Sequence, residues 1–220
     1  MSILKVNDVS FSYDSEKLVL KNVNMEFDKN IVYGVFGKSG AGKTTLLSLL
    51  AGLETTTSGT ICYKDQDIAK INRDKYRSNE IGVIFQSYNL LSYLTSLENV
   101  ILSMDISNIK VKNKRQKALS LLKKVGLNED KAKRPILHLS GGEQQRVAIA
   151  RALAYDSEII LADEPTGNLD KETEEDIISL LIKLAHEDGK CVIIISHSEY
   201  VKDSVDQVYY LVNGKLKYDQ

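Results

Sequence analysis

A glycine-rich octapeptide, GKSGAGKT at Gly37–Thr44, has the residue types and the spacing of a phosphate-binding loop. Glycine permits the backbone angles at which successive N–H groups turn inward around phosphate oxygens. In the pattern G-x-x-x-x-G-K-[ST], Lys43 reaches the β- and γ-phosphates and the Thr44 hydroxyl coordinates Mg²⁺. The motif requires a strand before it and a helix after it, and the apolar runs Ile31–Phe36 and Thr44–Leu50 predict both. The loop therefore predicts a nucleotide-binding site.

A second glycine-rich stretch, LSGGEQQR at Leu139–Arg146, also leads into a predicted helix. Adjacent glycines at a helix N-terminus expose N–H groups that can bind an anion. A chain that already carries one phosphate loop has no evident need of another. The pattern by itself does not decide which ligand this second stretch binds.

Acidic residues follow the buried strand predicted at Ile159–Ala162, at the sheet edge where α/β proteins bind ligands. Asp163 is placed to hold Mg²⁺ through water, and Glu164 to accept a proton from an attacking water molecule. The alternative for Glu164 is an acid that only begins a helix or faces solvent. His197 follows the strand predicted at Val192–Ile195, so we expect it at the same edge. A single histidine is more often structural, but this one could contact a γ-phosphate.

Two further residues are candidates on weaker grounds. Gln86 ends the apolar segment IGVIFQ, and its amide oxygen could reach Mg²⁺ or the attacking water; the alternative is a solvated strand end. Tyr13 could stack on a nucleobase, because every base offers a π face. The alternative for Tyr13 is a tyrosine in a half-buried sheet.

The composition is that of a soluble globular protein without a strong electrostatic field. The 220 residues are 43% hydrophobic and 27% charged, with a formal net charge of −1, which lacks the basic field usual in nucleic-acid binders. The locally basic segment Lys110–Arg134 predicts a solvated helix face, or alternatively a surface held near an anionic membrane leaflet. Cys62 and Cys191 are far apart, which favours ordinary thiols in a reducing compartment.

The sequence shows no membrane span or export signal of its own. No apolar run approaches the roughly 18–20 residues needed to cross a bilayer. The N-terminus, MSILKVNDVS, lacks the apolar region of a signal peptide. We therefore expect a cytosolic chain, or one bound to a membrane through another protein.

Hydrophobic periodicity predicts an α/β fold in a single domain, residues 1–220. The first thirty residues alternate with a period of two, which indicates antiparallel strands. A short strand pair is expected near Thr60–Tyr63, with Lys64–Gln66 as its turn. Later β-branched strands, separated by helices, predict a mainly parallel sheet that is covered on both faces.

Two other segments complete the predicted architecture. Apolar residues recur at helical spacing after Asn89, so we expect a helical subdomain inserted in the core at about residues 89–150. Asn213-Gly214, between Val208–Val212 and Lys215–Tyr218, predicts a type I′ hairpin at the end of the chain.

The order of these motifs resembles that of the nucleotide-binding domain of ABC transporters, and the resemblance covers essentially the whole chain. The order is Tyr13, GKSGAGKT, Gln86, LSGGEQQR, ILADE, NLD and His197, and LSGGE is highly specific to that superfamily. The family fold adds an antiparallel β subdomain and an inserted helical subdomain to a P-loop NTPase core. This fold agrees with the one that periodicity predicts.

The resemblance also implies a role for each matching residue. Tyr13 resembles the adenine-stacking aromatic residue, and Gln86 the Q-loop glutamine that reaches the metal. Glu164 resembles the catalytic base, His197 the switch histidine, and Asp170 the D-loop aspartate at the dimer interface. The ATP-binding residues of the loop would be Gly37, Ser39, Gly40, Ala41, Gly42, Lys43, Thr44 and Thr45, with Thr44, Gln86 and Asp163 at the metal. In that family two domains close head-to-tail over two ATP molecules, so Ser140, Gly141 and Gly142 would bind ATP held by the partner.

Finer features are similar to those of MacB/LolD-type ATPases, namely FQSYNLLSYLTSLENV and DEPTGNLD. That similarity implies ATP and Mg²⁺ as cofactors, a homodimer or a pair of like ATPase domains when ATP is bound, and an integral membrane permease as partner. The chain would then lie on the cytoplasmic face of the membrane and drive export or release of peptides, antibiotics or lipoproteins. Bacteriocin-export or immunity ATPases are equally similar, and an FtsE-like regulator of a membrane partner is the alternative. A DNA-repair ATPase is disfavoured by the net charge, and we expect no nucleic-acid partner.

Overall fold

The alternating N-terminal segment and the later apolar runs form two sheets in the computed structural model, which describes residues 2–14 and 17–217. The strands are β1 (Leu4–Phe11), β2 (Leu20–Phe27), β3 (Val32–Phe36), β4 (Ser58–Tyr63), β5 (Gln66–Asp67), β6 (Ile81–Ile84), β7 (Ile159–Asp163), β8 (Cys191–Ile195), β9 (Gln207–Val212) and β10 (Lys215–Lys217). The α-helices are α1 (Lys43–Leu50), α2 (Arg73–Asn79), α3 (Ser96–Ile106), α4 (Lys114–Lys124), α5 (Glu129–Ala132), α6 (Gly141–Ala152), α7 (Lys171–His186) and α8 (Glu199–Ser204). A 3₁₀ turn, Ile136–His138, precedes α6.

The core sheet has the strand order β10-β9-β3-β8-β7-β6, and its neighbours are parallel except for the β9–β10 hairpin. Side chains of β3 and β7 alternate between two apolar clusters. Val32 and Ile160 pack with the helices that follow β6, whereas Tyr33 and Leu161 pack with α1 and the smaller sheet. The strands are therefore buried on both faces, as their continuous apolar sequences predict. Because parallel strands end at one edge, the residues after β3, β6, β7 and β8 are brought together there.

The smaller sheet is antiparallel, with the order β2-β1-β4-β5. Strand β1 lies between its two partners, with Leu4 opposite both Phe27 of β2 and Tyr63 of β4. In β2, the buried side chains Val23, Met25 and Phe27 alternate with exposed ones, which is the period-two pattern seen in the sequence. The predicted antiparallel sheet is thus confirmed.

Two turns were expected from the sequence. Asn213 and Gly214 both have positive φ, 51° and 77°, as a type I′ hairpin requires. Tyr218, placed by prediction in the last strand, lies outside the described residues. The β4–β5 turn is one residue shorter than predicted: only Lys64 and Asp65 have positive φ, and Gln66 already pairs with Tyr63 in β5.

The segment between β6 and β7 is helical, and its buried residues join the apolar cluster on one face of the core sheet. Buried residues of α3, α4 and α6 pack together, among them Val100, Leu122 and Val147. Gly126 ends α4 with φ 85°, the left-handed conformation typical after a helix C-terminus. Within the described residues, no helix has both the length and the apolarity to cross a membrane.

Candidate active site

The glycine-rich loop (Gly37–Thr44) connects β3 to α1 and leaves the start of that helix open. The N-cap residue of α1 is Gly42, with φ 104°, and no side chain of the described residues caps the helix. A Cβ at Gly42 would lie 2.9 Å from Cδ2 of Leu20, so both the backbone angle and the space require glycine. The Lys43 ammonium donates to the carbonyl oxygens of Gly37, at 2.7 Å, and Lys38, at 3.3 Å. The first turn of α1 can therefore receive an anion, with a cation beside it.

A cavity of about 520 Å³ opens over this loop and collects residues from the ends of several strands. Besides loop residues it is lined by Gln86 after β6, Asp163 and Glu164 at the end of β7, and His197 after β8. Ser39, Gly40, Lys43, Thr44 and Thr45 also line it, whereas Ala41 is buried and is not among its lining residues. The residues that the sequence predicts at one sheet edge thus line one cavity.

Asp163 is held next to the first turn of α1. The Thr44 hydroxyl donates to its carboxylate. Burial, and then the charge of Glu164, raise the pKa of Asp163, while Lys43 and the Thr44 hydrogen bond act against that rise. A half-buried carboxylate of this kind gains from a cation placed beside it.

Glu164 follows Asp163 in a strained backbone conformation. Its φ is 45°, in the left-handed region, and its N–H donates to the carbonyl of Ile195 at 2.9 Å. Its Oε2 lies 2.9 Å from Nδ1 of His197, whose side chain is 72% exposed against 16% for Glu164. The strain, of about 1–3 kcal/mol, persists because β8 fixes the backbone, and it directs the carboxylate toward His197.

Gln86 lines the cavity, whereas Tyr13 is not among the described residues that line it. The Gln86 amide lies against Gly167, where an added Cβ would be 3.0 Å from Nε2. Tyr13 lies beyond the end of β1, is 64% exposed, and places its hydroxyl 3.3 Å from Oγ1 of Thr45. Its ring meets Phe11 edge to face, with centroids 4.8 Å apart. The alternative of a tyrosine within a half-buried sheet is therefore wrong, and the ring is accessible to a flat ligand.

The SGG segment (Ser140–Gly142) begins α6, and its N-terminus is capped internally. The Ser140 hydroxyl accepts from the Glu143 N–H at 3.3 Å, and the Glu143 carboxylate accepts from the Ser140 N–H at 2.9 Å. This capping box satisfies two backbone donors and leaves the N–H groups of Gly141 and Gly142 at the helix start. Among the described residues that line the cavity above the glycine-rich loop, none belongs to the SGG segment.

The sequence contains a local signal for this cap, which the motifs considered above do not include. Ser140 followed by Glu143 is the S-x-x-E pattern of a capping box. Lys131 adds an ion pair to Glu143 at 2.6 Å, and that pair with the Ser140 hydrogen bonds lowers the pKa of the carboxyl. Glu143 thus stays ionised and holds Ser140 in place.

Asp170 is the N-cap of α7. Its carboxylate accepts from the backbone N–H of Thr173 at 3.0 Å and from the Thr173 hydroxyl at 2.8 Å. These bonds lower the pKa of Asp170. Each carboxylate oxygen thus accepts one hydrogen bond within the chain, and the predicted place of Asp170 at a dimer interface remains a prediction.

Comparisons with known proteins agree with this geometry. The ABC transporter family model matches residues 20–167. An uncharacterized ABC transporter ATP-binding protein of Bacillus subtilis, YclH, is 44% identical over 217 residues, which are 98% of this chain and 96% of that protein. The lipoprotein-releasing system ATP-binding protein LolD of Legionella pneumophila is 40% identical over 201 residues, 90% of this chain and 88% of that protein.

Solved structures give the same result. The dimeric structure of MJ0796, a bacterial ABC transporter cassette, has a TM-score of 0.89 and 37% identity, covering 99% of this chain and 97% of that one. A second structure of MJ0796, with equal similarity, is a post-hydrolysis state bound to ADP and Pi. These matches confirm the predicted fold class. The chain belongs to the ABC transporter family of ATP-binding proteins and is an ATPase.

Proposed function

We propose that this chain hydrolyses ATP as a dimer with two shared sites, and that the dimer drives an integral membrane permease. One observation carries the proposal. The SGG segment keeps the N–H groups of Gly141 and Gly142 at the start of α6, yet none of its residues is among those lining the cavity of its own chain. These donors suit an anion presented by a second copy.

The first half of each site comes from the glycine-rich loop. The phosphates would lie on the open N-terminus of α1, where the helix dipole and the backbone N–H groups favour negative charge. Lys43 would exchange its bonds to Gly37 and Lys38 for the β- and γ-phosphates. Tyr13, exposed and anchored on Phe11, would stack on the adenine.

The residues beside the phosphates fit Mg²⁺. Thr44 and Asp163 are already joined by a hydrogen bond, and the Gln86 amide lines the same cavity, so hard oxygen donors converge there. Thr44 and Gln86 would hold the ion directly, and Asp163 would hold it through water. When bound, Mg²⁺ would neutralise charge on the β- and γ-phosphate oxygens.

Glu164 would act as the general base. Water would form a bond to the γ-phosphorus as the bond to the β,γ-bridging oxygen breaks, and the water's proton would pass to the Glu164 carboxylate. The hydrogen bond to His197 and the fixed backbone of Glu164 hold that carboxylate in one orientation. The exposed imidazole of His197 would reach the γ-phosphate with its other nitrogen.

The second half of each site would come from the partner's α6. The Ser140 hydroxyl, which faces the Glu143 carboxylate in the capping box, would turn its hydrogen to a phosphate oxygen of the partner's nucleotide, together with the N–H groups of Gly141 and Gly142. Bringing these donors to the γ-phosphate would close the site and exclude water. Asp170, at the start of α7, would lie at the interface between the two chains. Loss of phosphate after hydrolysis would release them.

The physiological partner is inferred from relatives. Similarity to LolD, named as the ATP-binding protein of a lipoprotein-releasing system, supports lipoproteins as the cargo; we extend the proposal to a permease partner at the cytoplasmic face of the membrane and to peptides or antibiotics as alternative cargo. Purification of the tagged chain from membranes, followed by identification of what accompanies it, tests this assignment. Recovery of a multi-span membrane protein is expected; a chain that sediments only with soluble proteins would contradict it.

Size measurement in the presence of ATP tests the shared site. Glu164→Gln should keep ATP affinity, lower turnover by about 10²–10⁴-fold, and accumulate as an ATP-bound dimer. Adding Ser140→Arg should leave ATP binding by the single chain unchanged and return the protein to a monomer. A double variant that still dimerises with ATP would contradict the shared site, and parental turnover in Glu164→Gln would contradict the base.

A further inference from the structure

The loop that carries Gln86 is held in an unusual backbone conformation. After β6 the chain passes through residues 85–90, here called the post-β6 loop, and both Tyr88 and Asn89 have positive φ, 59° and 51°. Asparagine visits this left-handed region readily, but tyrosine does so rarely. The Tyr88 N–H donates to the Phe85 carbonyl at 3.1 Å and the Asn89 N–H to Ser87 at 2.6 Å, closing a tight turn. Such a conformation persists only where neighbouring residues fix it.

Arg151 fixes this turn from the last part of α6. One guanidinium nitrogen donates to the carbonyl of Tyr88 at 2.9 Å, and the other donates to the carbonyl of Asn89. The planar fork of arginine suits two adjacent acceptors, which a lysine ammonium cannot match. Partial burial lowers the pKa of Arg151, and the guanidinium still remains protonated, so the two carbonyls supply polar partners for a half-buried charge.

The same loop also contacts the first turn of α6. The Tyr88 hydroxyl lies 3.1 Å from the position that a Cβ at Gly141 would take. The post-β6 loop therefore meets α6 at two points, through the fork of Arg151 near the end of the helix and through the Tyr88 hydroxyl beside Gly141. Burial raises the pKa of Tyr88, so this hydroxyl is neutral at the SGG segment. One short loop therefore touches both ends of the helix.

We propose that Arg151 is a positioning residue that couples Gln86, at a chain's own nucleotide, to Ser140, which serves the nucleotide of the partner. The coupling runs through the backbone of Tyr88 and Asn89 and through the Tyr88 ring on Gly141. A movement of Gln86 toward the metal must then shift α6, and a movement of α6 must shift Gln86. This inference rests on the shared site proposed above, and its test separates the two.

Mixed dimers with one competent site test the coupling. One copy carries Glu164→Gln and the other keeps Glu164, so only the site made from the second copy's Glu164 and the first copy's Ser140 can turn over. Arg151→Met is then placed in either copy. Placed in the first copy, Arg151→Met can change turnover only through that copy's Ser140, which completes the competent site. Placed in the second copy, it can change turnover only through that copy's Gln86, which lies at the nucleotide of the competent site.

We expect kcat to fall by about 2- to 30-fold for either placement. The Mg²⁺ concentration for half-maximal rate should rise only when the variant is in the second copy. Arg151→Lys should give a smaller loss because it keeps one bond, and Tyr88→Phe should lower kcat without a change in melting temperature. Arg146→Met is the matched control on the same helix: Arg146 binds Val125 and Asp176 but not the post-β6 loop.

The outcomes distinguish the two proposals. If the activity of the mixed dimer without Arg151→Met survives Ser140→Arg in the first copy, the shared site itself is wrong. If that dimer is active, and Arg151→Met lowers only the melting temperature in both placements, Arg151 is structural and the coupling is wrong. Should Arg151→Met fail to fold, Arg151→Lys and Tyr88→Phe in the same two placements decide the question.

Discussion

The two glycine-rich helix starts of this chain, at α1 and α6, differ in how their backbone donors are satisfied. Helix α1 begins at Gly42 without a side-chain cap and without an acid in its first turn, among the described residues. Helix α6 begins at Ser140 with a complete capping box and the acid Glu143 in its first turn. Both starts contain adjacent or closely spaced glycines, but only the first lies at the cavity of its own chain.

The difference indicates two ways in which the backbone N–H groups at a helix start stay available to bind phosphate. A helix start with glycine as its N-cap, as at Gly42, forgoes only about a few tenths of a kcal/mol of stability relative to a side-chain cap, and a ligand that supplies the missing acceptors restores it. The α6 start is stable without a ligand, because the side chains of Ser140 and Glu143 each accept a hydrogen bond from the other residue's backbone N–H. The N–H groups of Gly141 and Gly142 take no part in these two bonds. We infer that α1 binds nucleotide first and that α6 joins as a preformed surface.

The largest effect is expected from removing the cation beside α1. Lys43→Ala should weaken ATP binding by about 30-fold or more, since an ionised donor next to phosphate is lost. Equilibrium binding to the isolated chain measures this. Lys75→Ala, on the exposed face of α2, is the control and should bind ATP normally. Unchanged affinity in Lys43→Ala would contradict the assignment of the glycine-rich loop.

A smaller effect is expected from adding one methyl group to the α6 start. A Cβ at Gly142 would lie 2.5 Å from Cγ2 of Thr173, so Gly142→Ala should lower the free energy of unfolding by about 1–3 kcal/mol and weaken the ATP-dependent dimer. The double variant Gly142→Ala/Thr173→Ser removes the opposing methyl group and should recover most of the stability. Denaturant unfolding of both variants checks this. Equal stability of the single and double variants would show that Thr173 is not what requires glycine there.

The smallest effect is expected from the cap itself. Glu143→Ala should cost about 0.5–1 kcal/mol of stability and weaken dimer formation, because Ser140 is no longer held. Glu98→Ala is a matched control, since Glu98 and Thr95 form the same capping box on α3. Both variants should lose similar stability, measured by denaturant unfolding, but only Glu143→Ala should affect the dimer. If Glu143→Ala and Glu98→Ala form the ATP-dependent dimer equally well, the capping box of α6 contributes to folding alone.

Local patterns were enough to predict much of the fold and the site. The spacing of Gly37–Thr44 and the continuous apolar strands followed by Asp163 and His197 predict one sheet edge, and the structure brings these residues around one cavity. The S-x-x-E pattern at Ser140 could also have been read from the sequence.

Other features depend on contacts between distant segments and could not be predicted. The positive φ of Glu164 is fixed by a hydrogen bond to Ile195 of β8. The need for glycine at position 142 comes from the packing of α6 on Thr173 of α7. The bonds from Arg151 to the post-β6 loop join two elements more than sixty residues apart, with separations of 62 and 63. A single sequence contains no local signal for any of these contacts.

Mixing two inactive variants tests the shared site most directly. Ser140→Arg and Glu164→Gln chains are combined before ATP is added, and hydrolysis is measured. A mixed dimer contains one site with intact Ser140 and Glu164, so at most about a quarter of the wild-type rate is expected from an equimolar mixture, and less to the extent that the single Ser140→Arg side chain opposes closure. Ser140→Arg mixed with the double variant Ser140→Arg/Glu164→Gln should stay inactive. No recovery in the first mixture, or wild-type hydrolysis by Ser140→Arg alone, would contradict the claim that each site needs two chains.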